Sequence, residues 1–239
     1  MTDKSKSGFT ANCETCTVKD KSIFCHLQMD ELITIDEHKS CIPYKKGQII
    51  FNEGNYPLGV YCINKGKVKL AHAGQDGKEQ IVKLAKEGDV LGYRSMLSSE
   101  RYNASAIALE DTQICFISKE VFFSLLRKNP TLSLEIIRML ALELRLTENR
   151  LTDIAQKPVR ERMAEALLFL KETYGFEKDN ATISVVLSRE DIANLVGTAT
   201  ETAIRLLSEF KHDKIVVFVG KKIKILDMDK LVKTANIYN

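Results

Sequence analysis

Residues 188–210 constrain the fold more than any other stretch, because their pattern predicts two short helices joined at a glycine. Ser188 and Thr198 are favourable helix N-caps. An acidic residue suited to a first helical turn follows each of them by three positions, Asp191 in one case and Glu201 in the other. Apolar residues recur at helical spacing in both segments, so each helix has one face to bury and one polar face. The stretch therefore predicts a helix-turn-helix.

The polar face of the second helix predicts DNA recognition. It begins with Thr198, Thr200, Glu201 and Arg205. Residues at the N-terminal end of a recognition helix reach base edges in a major groove. Arginine donates to guanine there and glutamate accepts from cytosine. The alternative is an ordinary helical hairpin whose polar face is only solvated.

A β-rich region and a long helix precede this motif. Between residues 42 and 117, short β-rich runs alternate with glycines, which favours a small antiparallel barrel. Residues 131–156 have helical periodicity, and a second helix is predicted over residues 159–174 after a break at Lys157 and Pro158.

A short β segment and a β-hairpin flank the helix-turn-helix. The β segment is predicted at residues 183–187, and the hairpin pairs residues 215–219 with residues 222–226. Lys221 and Lys222 lie at the predicted hairpin tip, within reach of phosphate, although tip lysines are as often only solubilising. The predicted DNA contacts are Ser188, Thr198, Thr200, Glu201, Thr202, Arg205, Lys221 and Lys222.

The long helix carries a narrow apolar seam near heptad spacing, interrupted by Glu148. Such a seam is typical of a helix that pairs with its symmetry mate, while the alternative is that it packs on its own barrel. The residues predicted to form a homodimer interface are Ile137, Ala141, Leu144 and Leu151.

Composition excludes several classes of protein. The net charge of +3 provides no strongly basic domain, so DNA binding depends on local placement of charge. No apolar run approaches the roughly 20 residues of a membrane span, and we expect a cytoplasmic protein without membrane contacts. The four histidines are scattered without catalytic or ligand spacing, and no phosphate-binding glycine loop is present, which argues against an enzyme.

The order of these elements resembles the CRP/FNR superfamily of bacterial transcription regulators, over nearly the whole chain. The resemblance depends on the segments GKVK at 66–69, GDVLG at 88–92, RERM at 160–163, SREDI at 188–192 and ETAIR at 201–205. It implies an α+β fold, with a cyclic-nucleotide-binding-type β-roll or jelly-roll barrel, a long dimerisation helix and a C-terminal winged helix-turn-helix. The expected parts are a cysteine-bearing arm (1–26), a barrel sensor domain (27–130), the dimerisation helix (131–156) and the DNA-binding domain (157–239).

The resemblance also implies a two-fold symmetric operator bound by a homodimer, with RNA polymerase as a further partner. Glu201 and Arg205 match the pair that reads a GA-containing core in this family. Thr200 occupies a position where the cyclic-AMP branch carries arginine, which favours a TTGA-like half-site of the FNR type. Ile204 leaves the outer bases open. A ligand-sensing module that acts only on protein partners is the rival function.

The barrel sequence argues against cyclic AMP. Nucleotide-binding members of the family follow the GDVLG-like segment with a glutamate and later present an arginine to the cyclic phosphate. Tyr93 takes the first position here, and Tyr102 begins the later segment, with Arg101 one residue early. A one-residue offset in a strand turns a side chain to the opposite face.

Six cysteines in a reducing compartment suggest metal ligation or redox chemistry. Cys13, Cys16 and Cys25 lie in a polar N-terminal arm with little apolar periodicity, which we expect to need a ligand for its order. Thiolates suit both iron–sulfur clusters and zinc, and free or redox-active thiols are a third possibility. For zinc, His26 is a candidate replacement for a cysteine.

Resemblance to FNR-type regulators implies a [4Fe–4S] cluster that senses oxygen or redox state. Its ligands would be Cys13, Cys16, Cys25 and the distant Cys115, although the gap between the second and third arm cysteines is longer here than in FNR. Loss of the cluster would then change the dimer helix and DNA affinity. Cys41 and Cys62 have no counterpart in the motif and are expected to be packing thiols.

Overall fold

The computed structural model describes residues 11–74 and 77–236. Its chain divides into two compact units, one formed by Met1–His72 with Lys83–Leu142 and the other by Ala73–Val82 with Glu143–Asn239. Within the described residues, no helix is both long enough and apolar enough to cross a membrane.

The β-rich region forms two four-stranded sheets. Their strands are β1 (Ser40–Tyr44), β2 (Ile49–Phe51), β3 (Gly59–Lys65), β4 (Val68–Ala73), β5 (Glu79–Ala85), β6 (Val90–Leu91), β7 (Ser105–Ala108) and β8 (Thr112–Ser118). One sheet has the order β1-β8-β3-β6 and the other β2-β7-β4-β5. Buried residues from both sheets, such as Ile63, Leu70 and Ile114, share one apolar core. The barrel-type sensor domain predicted from the sequence is confirmed in its β content.

Gly66 joins β3 to β4 and cannot be replaced without strain. Its φ is +100°, a left-handed value that favours glycine. A Cβ at this position would lie 2.5 Å from the Oγ1 atom of the buried Thr112. The backbone conformation and the close approach of Thr112 thus explain why the GKVK segment begins with glycine.

Three helices accompany the strands in this part of the chain, and the sequence analysis did not predict them. They are α1 (Met29–His38), α2 (Tyr93–Ser98) and α3 (Lys119–Lys128). Each is short and its apolar face is fixed by tertiary packing: Leu32 of α1 and Phe122 of α3 enter the same buried cluster. Asn129, directly after α3, donates from Nδ2 to the Glu31 carboxylate of α1 at 2.9 Å.

The N-terminal arm is packed onto this unit by its own apolar residues. A short 3₁₀ helix (Lys19–Lys21) lies between the buried side chains of Val18 and Phe24. Phe24 and Leu27 join the cluster that holds α1 and α3. These side chains give the described part of the arm apolar contacts of its own, while the expectation that the arm needs a ligand for its order stays a prediction.

The long helix α4 (Pro130–Gln156) confirms the prediction for residues 131–156. Only Leu132 and Ile136, in its first two turns, are buried. The helix-turn-helix region follows α4, with α5 (Val159–Tyr174), α6 (Arg189–Val196), α7 (Thr200–His212), β9 (Val216–Val219), β10 (Lys222–Ile225) and α8 (Met228–Ala235).

Two features of this region differ from the sequence prediction. Residues 183–187 do not form a strand; Thr182 and Ile183 make only isolated bridges, with Lys224 and Phe176. The apolar residues of this segment favoured a strand in the sequence, and most of them are buried. The described residues add no further ladder pairs to these isolated bridges, so no strand forms. Helix α8 was missed, and it packs on α5 with Leu231 fully buried.

Candidate DNA-binding and cysteine sites

The first helix of the helix-turn-helix begins where its sequence predicts. The Ser188 hydroxyl accepts from the Asp191 amide at 2.9 Å, and the Asp191 carboxylate accepts from the Ser188 amide at 3.0 Å. This reciprocal capping box satisfies two otherwise unpaired amides. Gly197 ends the helix in a left-handed conformation with φ of 74°.

The second helix begins at Thr200, one residue later than an N-cap at Thr198 predicts. Ala199 occupies the N-cap position of α7 and makes no side-chain cap. The Thr198 amide instead donates to the Ala193 carbonyl at 3.1 Å, so Thr198 completes the end of α6. Thr198 is half-buried in the turn, and its predicted role as an N-cap is wrong.

Helix α7 has the two faces that recognition requires. Its buried face consists of Ala203, Leu206, Leu207 and Phe210. Glu201 and Arg205 are exposed on the other side, and Thr200 and Thr202 are half-buried. The Arg205 guanidinium pairs with the Glu209 carboxylate one turn on, at 2.6 Å. The Arg205 side chain is 64% exposed, so it is available to a partner in a groove.

Long polar side chains fix the end of α6 and the turn. Arg150 of α4 donates to the Leu195 carbonyl at 2.5 Å, and Arg162 of α5 donates to the carbonyls of Val196 and Gly197, each at 3.3 Å. These carbonyls are the ones that a helix C-terminus leaves without intrahelical partners. Sequence reasoning missed Arg150, because the contact joins residues 45 positions apart.

The hairpin β9–β10 is the predicted wing. Lys221 is exposed at its turn, but Lys222 is the first residue of β10 and its ammonium group is paired with the Glu177 carboxylate. Lys222 therefore does not lie at the tip, as the sequence predicted, but in a strand and in an ion pair. Arg189, at the start of α6, stacks over the Phe218 ring of the wing at 4.2 Å and joins the wing to the helix-turn-helix.

Three cysteines form a row across one sheet of the first unit. Cys41 of β1 and Cys62 of β3 are both register partners of Cys115 in β8, the strand between them. Directly opposed residues share a sheet face. The sulfur atoms of Cys41 and Cys115 lie 3.3 Å apart. Cys41, which was expected to be only a packing thiol, thus contacts a second thiol directly.

The arm cysteines Cys13 and Cys16 accept hydrogen bonds from residues that lie two positions away from members of this row in the sequence. The Lys39 ammonium, two residues before Cys41, donates to the Cys13 sulfur at 3.0 Å. The Asn64 amide, two residues after Cys62, donates to the Cys16 sulfur at 3.5 Å. Cys13 and Cys62 also pack against the same buried cluster.

Burial raises the pKa of several of these thiols above the ordinary value of 9.0. It raises the pKa of Cys13 to about 11, partly offset by Lys39. It raises the pKa of Cys62 to about 12, with the nearby Cys16 and Cys13 adding to the shift. Burial and the contact with Cys41 also raise the pKa of Cys115.

Cys25 stands apart from the other predicted ligands. Its amide donates to the Ser22 carbonyl at 3.2 Å, and no hydrogen bond joins its sulfur to another thiol in residues 11–74 and 77–236. In the same described ranges, no three histidine, cysteine or acidic side chains stand at metal-binding spacing. The donor types suit a soft metal or cluster, and Cys13 and Cys16 lie near Cys62, which is the strand neighbour of Cys115.

The predicted seam of α4 is exposed. Ile137 and Leu144 are each 60% exposed and Leu151 is 69% exposed, and Ala141 between them is also exposed. Leu134, at 53%, extends the heptad spacing one step towards the N-terminus. The alternative that this face packs entirely on its own barrel is wrong, because these side chains remain open to solvent within the chain.

Comparison with known proteins identifies the architecture. A family model for the cyclic nucleotide-binding domain matches residues 41–129, and one for the Crp-like helix-turn-helix domain matches residues 161–234. The chain belongs to the CRP/FNR superfamily. It is a DNA-binding transcription regulator and not an enzyme.

Curated relatives and solved structures agree with this assignment. The transcriptional activator protein Anr of Pseudomonas protegens is 28% identical, over 94% of this chain and 93% of that protein. The fumarate and nitrate reduction regulatory protein of Vibrio cholerae is 29% identical, over 96% and 92%. The structure of FixK2 from Bradyrhizobium japonicum superposes with a TM-score of 0.74, covering 84% of this chain and 99% of that one, at 24% identity.

Membership of the CRP/FNR superfamily leaves the effector open. A CRP-like cAMP-activated global transcriptional regulator of Mycobacterium tuberculosis is 27% identical over 89% of the chain, close to the values for the Anr and fumarate and nitrate reduction proteins. The effector must therefore be inferred from the residues of this chain.

In this CRP/FNR regulator, aromatic side chains pack together at the apolar core that the two sheets share. The Tyr102 ring stacks on the Phe51 ring with centroids 4.0 Å apart, and the Tyr61 ring lies 5.2 Å from Phe51. The cavity beside Tyr102 has a volume of about 20 Å³, enough for about one water molecule. Arg101 donates to the Gly54 carbonyl at 2.8 Å.

Proposed function

We propose that this regulator acts as a homodimer on a two-fold symmetric operator with TTGA-like half-sites, each read by one α7 helix. The observation that supports this most directly is the exposure of Glu201 and Arg205 near the start of a helix whose opposite face is buried. Arginine can donate twice to guanine O6 and N7, and glutamate can accept from cytosine N4. Thr200 beside them offers no second arginine.

A network of charges prepares Arg205 to change partners. The Glu209 carboxylate accepts from both Arg205, at 2.6 Å, and Arg160, at 2.8 Å. When Arg205 turns to a guanine, Glu209 keeps Arg160 as a partner, which it shares with Asp213 at 2.6 Å. The move therefore leaves no isolated carboxylate near the DNA, and the cost of breaking an exposed ion pair is small.

Substitution of Arg205 tests the assignment. Arg205→Ala is expected to weaken binding to a symmetric TTGA-type site by about 1–3 kcal/mol and to relax preference at one base pair. Lys211→Ala is the matched control, since Lys211 is exposed on the last turn of the same helix. It should change affinity equally for specific and scrambled sites. Unchanged binding by Arg205→Ala, measured by fluorescence anisotropy at fixed salt, would contradict the proposal.

Dimerisation is proposed through α4. An exposed heptad stripe of four apolar side chains is costly on a single helix in water, and pairing with a second copy removes it. We further propose RNA polymerase as a protein partner and the cytoplasm as the location, both on the strength of the family.

For the signal, we propose a [4Fe–4S] cluster held by Cys13, Cys16, Cys25 and Cys115. Four thiolates are the ligand set of such clusters. Bound there, a cluster would supply a redox centre that oxidants attack. Lys39 and Asn64 donate hydrogen bonds to the sulfurs of Cys13 and Cys16, and such bonds tune the potential of a cluster. These thiols do not stand at metal-binding spacing in the described residues, so loading of the site would bring them together.

The arm that carries three of these cysteines shares a buried cluster with the base of α4. Phe24 of the arm and the following Leu27 lie in this cluster with Leu132 and Ile136, the only buried residues of α4. Cys25 is adjacent to Phe24 in sequence, so a change at Cys25 acts on the cluster that also holds the first turns of the proposed dimer helix. This shared cluster supports a link between cysteine chemistry and dimerisation.

Anaerobic purification of the full chain tests the cluster. Iron, sulfide and zinc are measured, with the visible absorbance spectrum. We expect about four irons and four sulfides per chain, strongly reduced in Cys25→Ser. A Cys62→Ser variant is the control and should retain the cluster. A colourless, iron-free protein from anaerobic cells would defeat the proposal, and zinc without sulfide would make the arm a structural metal site.

A further inference from the structure

Cys41 and Cys115 form a pair of thiols that the family resemblance does not explain. They are separated by 74 residues in sequence, but their sulfur atoms are 3.3 Å apart. Cys62 is opposite Cys115 on the other side, yet the sulfur contact of Cys115 is with Cys41. The Cys115 thiol therefore already has one specific thiol neighbour.

The backbone at this pair has the spacing that a disulfide needs. Cys41 and Cys115 are directly opposed Cα partners in an antiparallel ladder. Such partners lie about 4.5–5.5 Å apart, within the roughly 4.4–6.8 Å range of disulfide-bonded residues. The sulfur atoms must approach from 3.3 Å to about 2.05 Å, which side-chain rotation can supply without a shift of the strands.

The two thiols differ in access. Cys41 is partly exposed and lies in β1, the edge strand of its sheet, while Cys115 is 8% exposed in the neighbouring strand. A small molecule in solution therefore meets Cys41 first. Cys115 is placed to react only with what is bound to Cys41.

We propose that Cys41 and Cys115 are a dithiol oxidation site whose co-substrate is a low-molecular-weight disulfide. The Cys41 thiolate attacks one sulfur of the small disulfide, forms a mixed disulfide and releases one small thiolate, which takes up the proton that Cys41 lost. The Cys115 thiolate then attacks the Cys41 sulfur and displaces the second small thiolate, which takes up the Cys115 proton. The protein pair loses two electrons, and the small disulfide gains two and becomes two thiols.

The disulfide would compete with metal ligation at Cys115. A sulfur in a disulfide has no thiolate to offer, so the oxidised pair and a cluster held by Cys115 exclude each other. This consequence depends on the cluster of the proposed function, whereas formation of the disulfide does not. The pair would then report thiol–disulfide balance in a protein that has lost its cluster.

The experiment uses the full chain, reduced, freed of metal with a chelator and exposed to oxidised glutathione. Free thiols are blocked with N-ethylmaleimide, and tryptic peptides are analysed by mass spectrometry without reduction. We expect a Cys41–Cys115 crosslink, which Cys41→Ser abolishes and Cys62→Ser retains. Mass spectrometry separates this crosslink from one between Cys13 and Cys16.

Two results would overturn the inference. One is the absence of the Cys41–Cys115 crosslink while Cys115 remains alkylated, and the other is a Cys62–Cys115 crosslink in its place. Anaerobically loaded chain is treated in parallel. If it holds iron and resists crosslinking until the iron is removed, both proposals stand; if it holds no iron but the crosslink forms, only the cluster proposal fails.

Discussion

Removal of a single leucine from the α4 seam gives the sharpest test of the proposed dimer. Leu144 is 60% exposed in the single chain, so pairing of two seams has that fraction of its side chain left to bury. Full burial of a leucine side chain stabilises by about 1.5–3 kcal/mol, and the exposed fraction corresponds to about 1–2 kcal/mol. Because a symmetric dimer contains two copies, Leu144→Ala should cost about 2–4 kcal/mol, which weakens the dimer roughly 30- to 700-fold.

Leu146 provides a matched control on the same helix. It is 59% exposed but lies two residues further on, about 200° around the helix from Leu144. Leu146→Ala should therefore leave the dissociation constant of the dimer within a few-fold of the parent value, as measured by sedimentation equilibrium. Equal weakening by both substitutions, or a dimer unaffected by Leu144→Ala, would refute the seam.

Three further predictions concern the cap, the thiols and the barrel. Ser188→Ala removes the hydroxyl that accepts from Asp191 and should lower the free energy of unfolding by about 0.5–2 kcal/mol in denaturant titrations; an unchanged midpoint would contradict this. Because burial raises the pKa of Cys13 to about 11 and of Cys62 to about 12 from 9.0, the folded chain holds these protons more tightly than the unfolded chain. Their contribution to stability is complete below about pH 9 and is lost as pH rises through the folded values, so anaerobic unfolding under reductant should show a decline that Cys62→Ala makes shallower. Titration calorimetry with cyclic AMP should show no saturable binding, because the cavity beside the stacked Tyr102 and Phe51 rings has a volume of only about 20 Å³; micromolar binding by the unmodified chain would overturn that interpretation.

The local signals of the DNA-binding region were sufficient to predict most of its structure. Ser188 caps α6 through contacts within three residues, and α4 follows from apolar periodicity along one segment. These features depend on neighbours in sequence, which is why they can be read without the fold. Thr198 failed as a cap because its amide completes the end of α6, so that Ala199 takes the N-cap position of α7.

Contacts between distant segments were decided only by the tertiary structure. The sequence alone determined which residue types were available: six cysteines, a polar arm and the tyrosines of the barrel segment. Strand register then brought Cys41 to 3.3 Å from Cys115 and kept Cys62 on the other side of it, and packing stacked Tyr102 on Phe51. A shift of one residue in either strand would turn one of the thiols to the opposite face, and no local pattern around the cysteines specifies that register. The helix-turn-helix that begins at Ser188 could therefore be predicted from the sequence. The thiol pair could not, because it depends on the alignment of two strands whose cysteines are 74 residues apart.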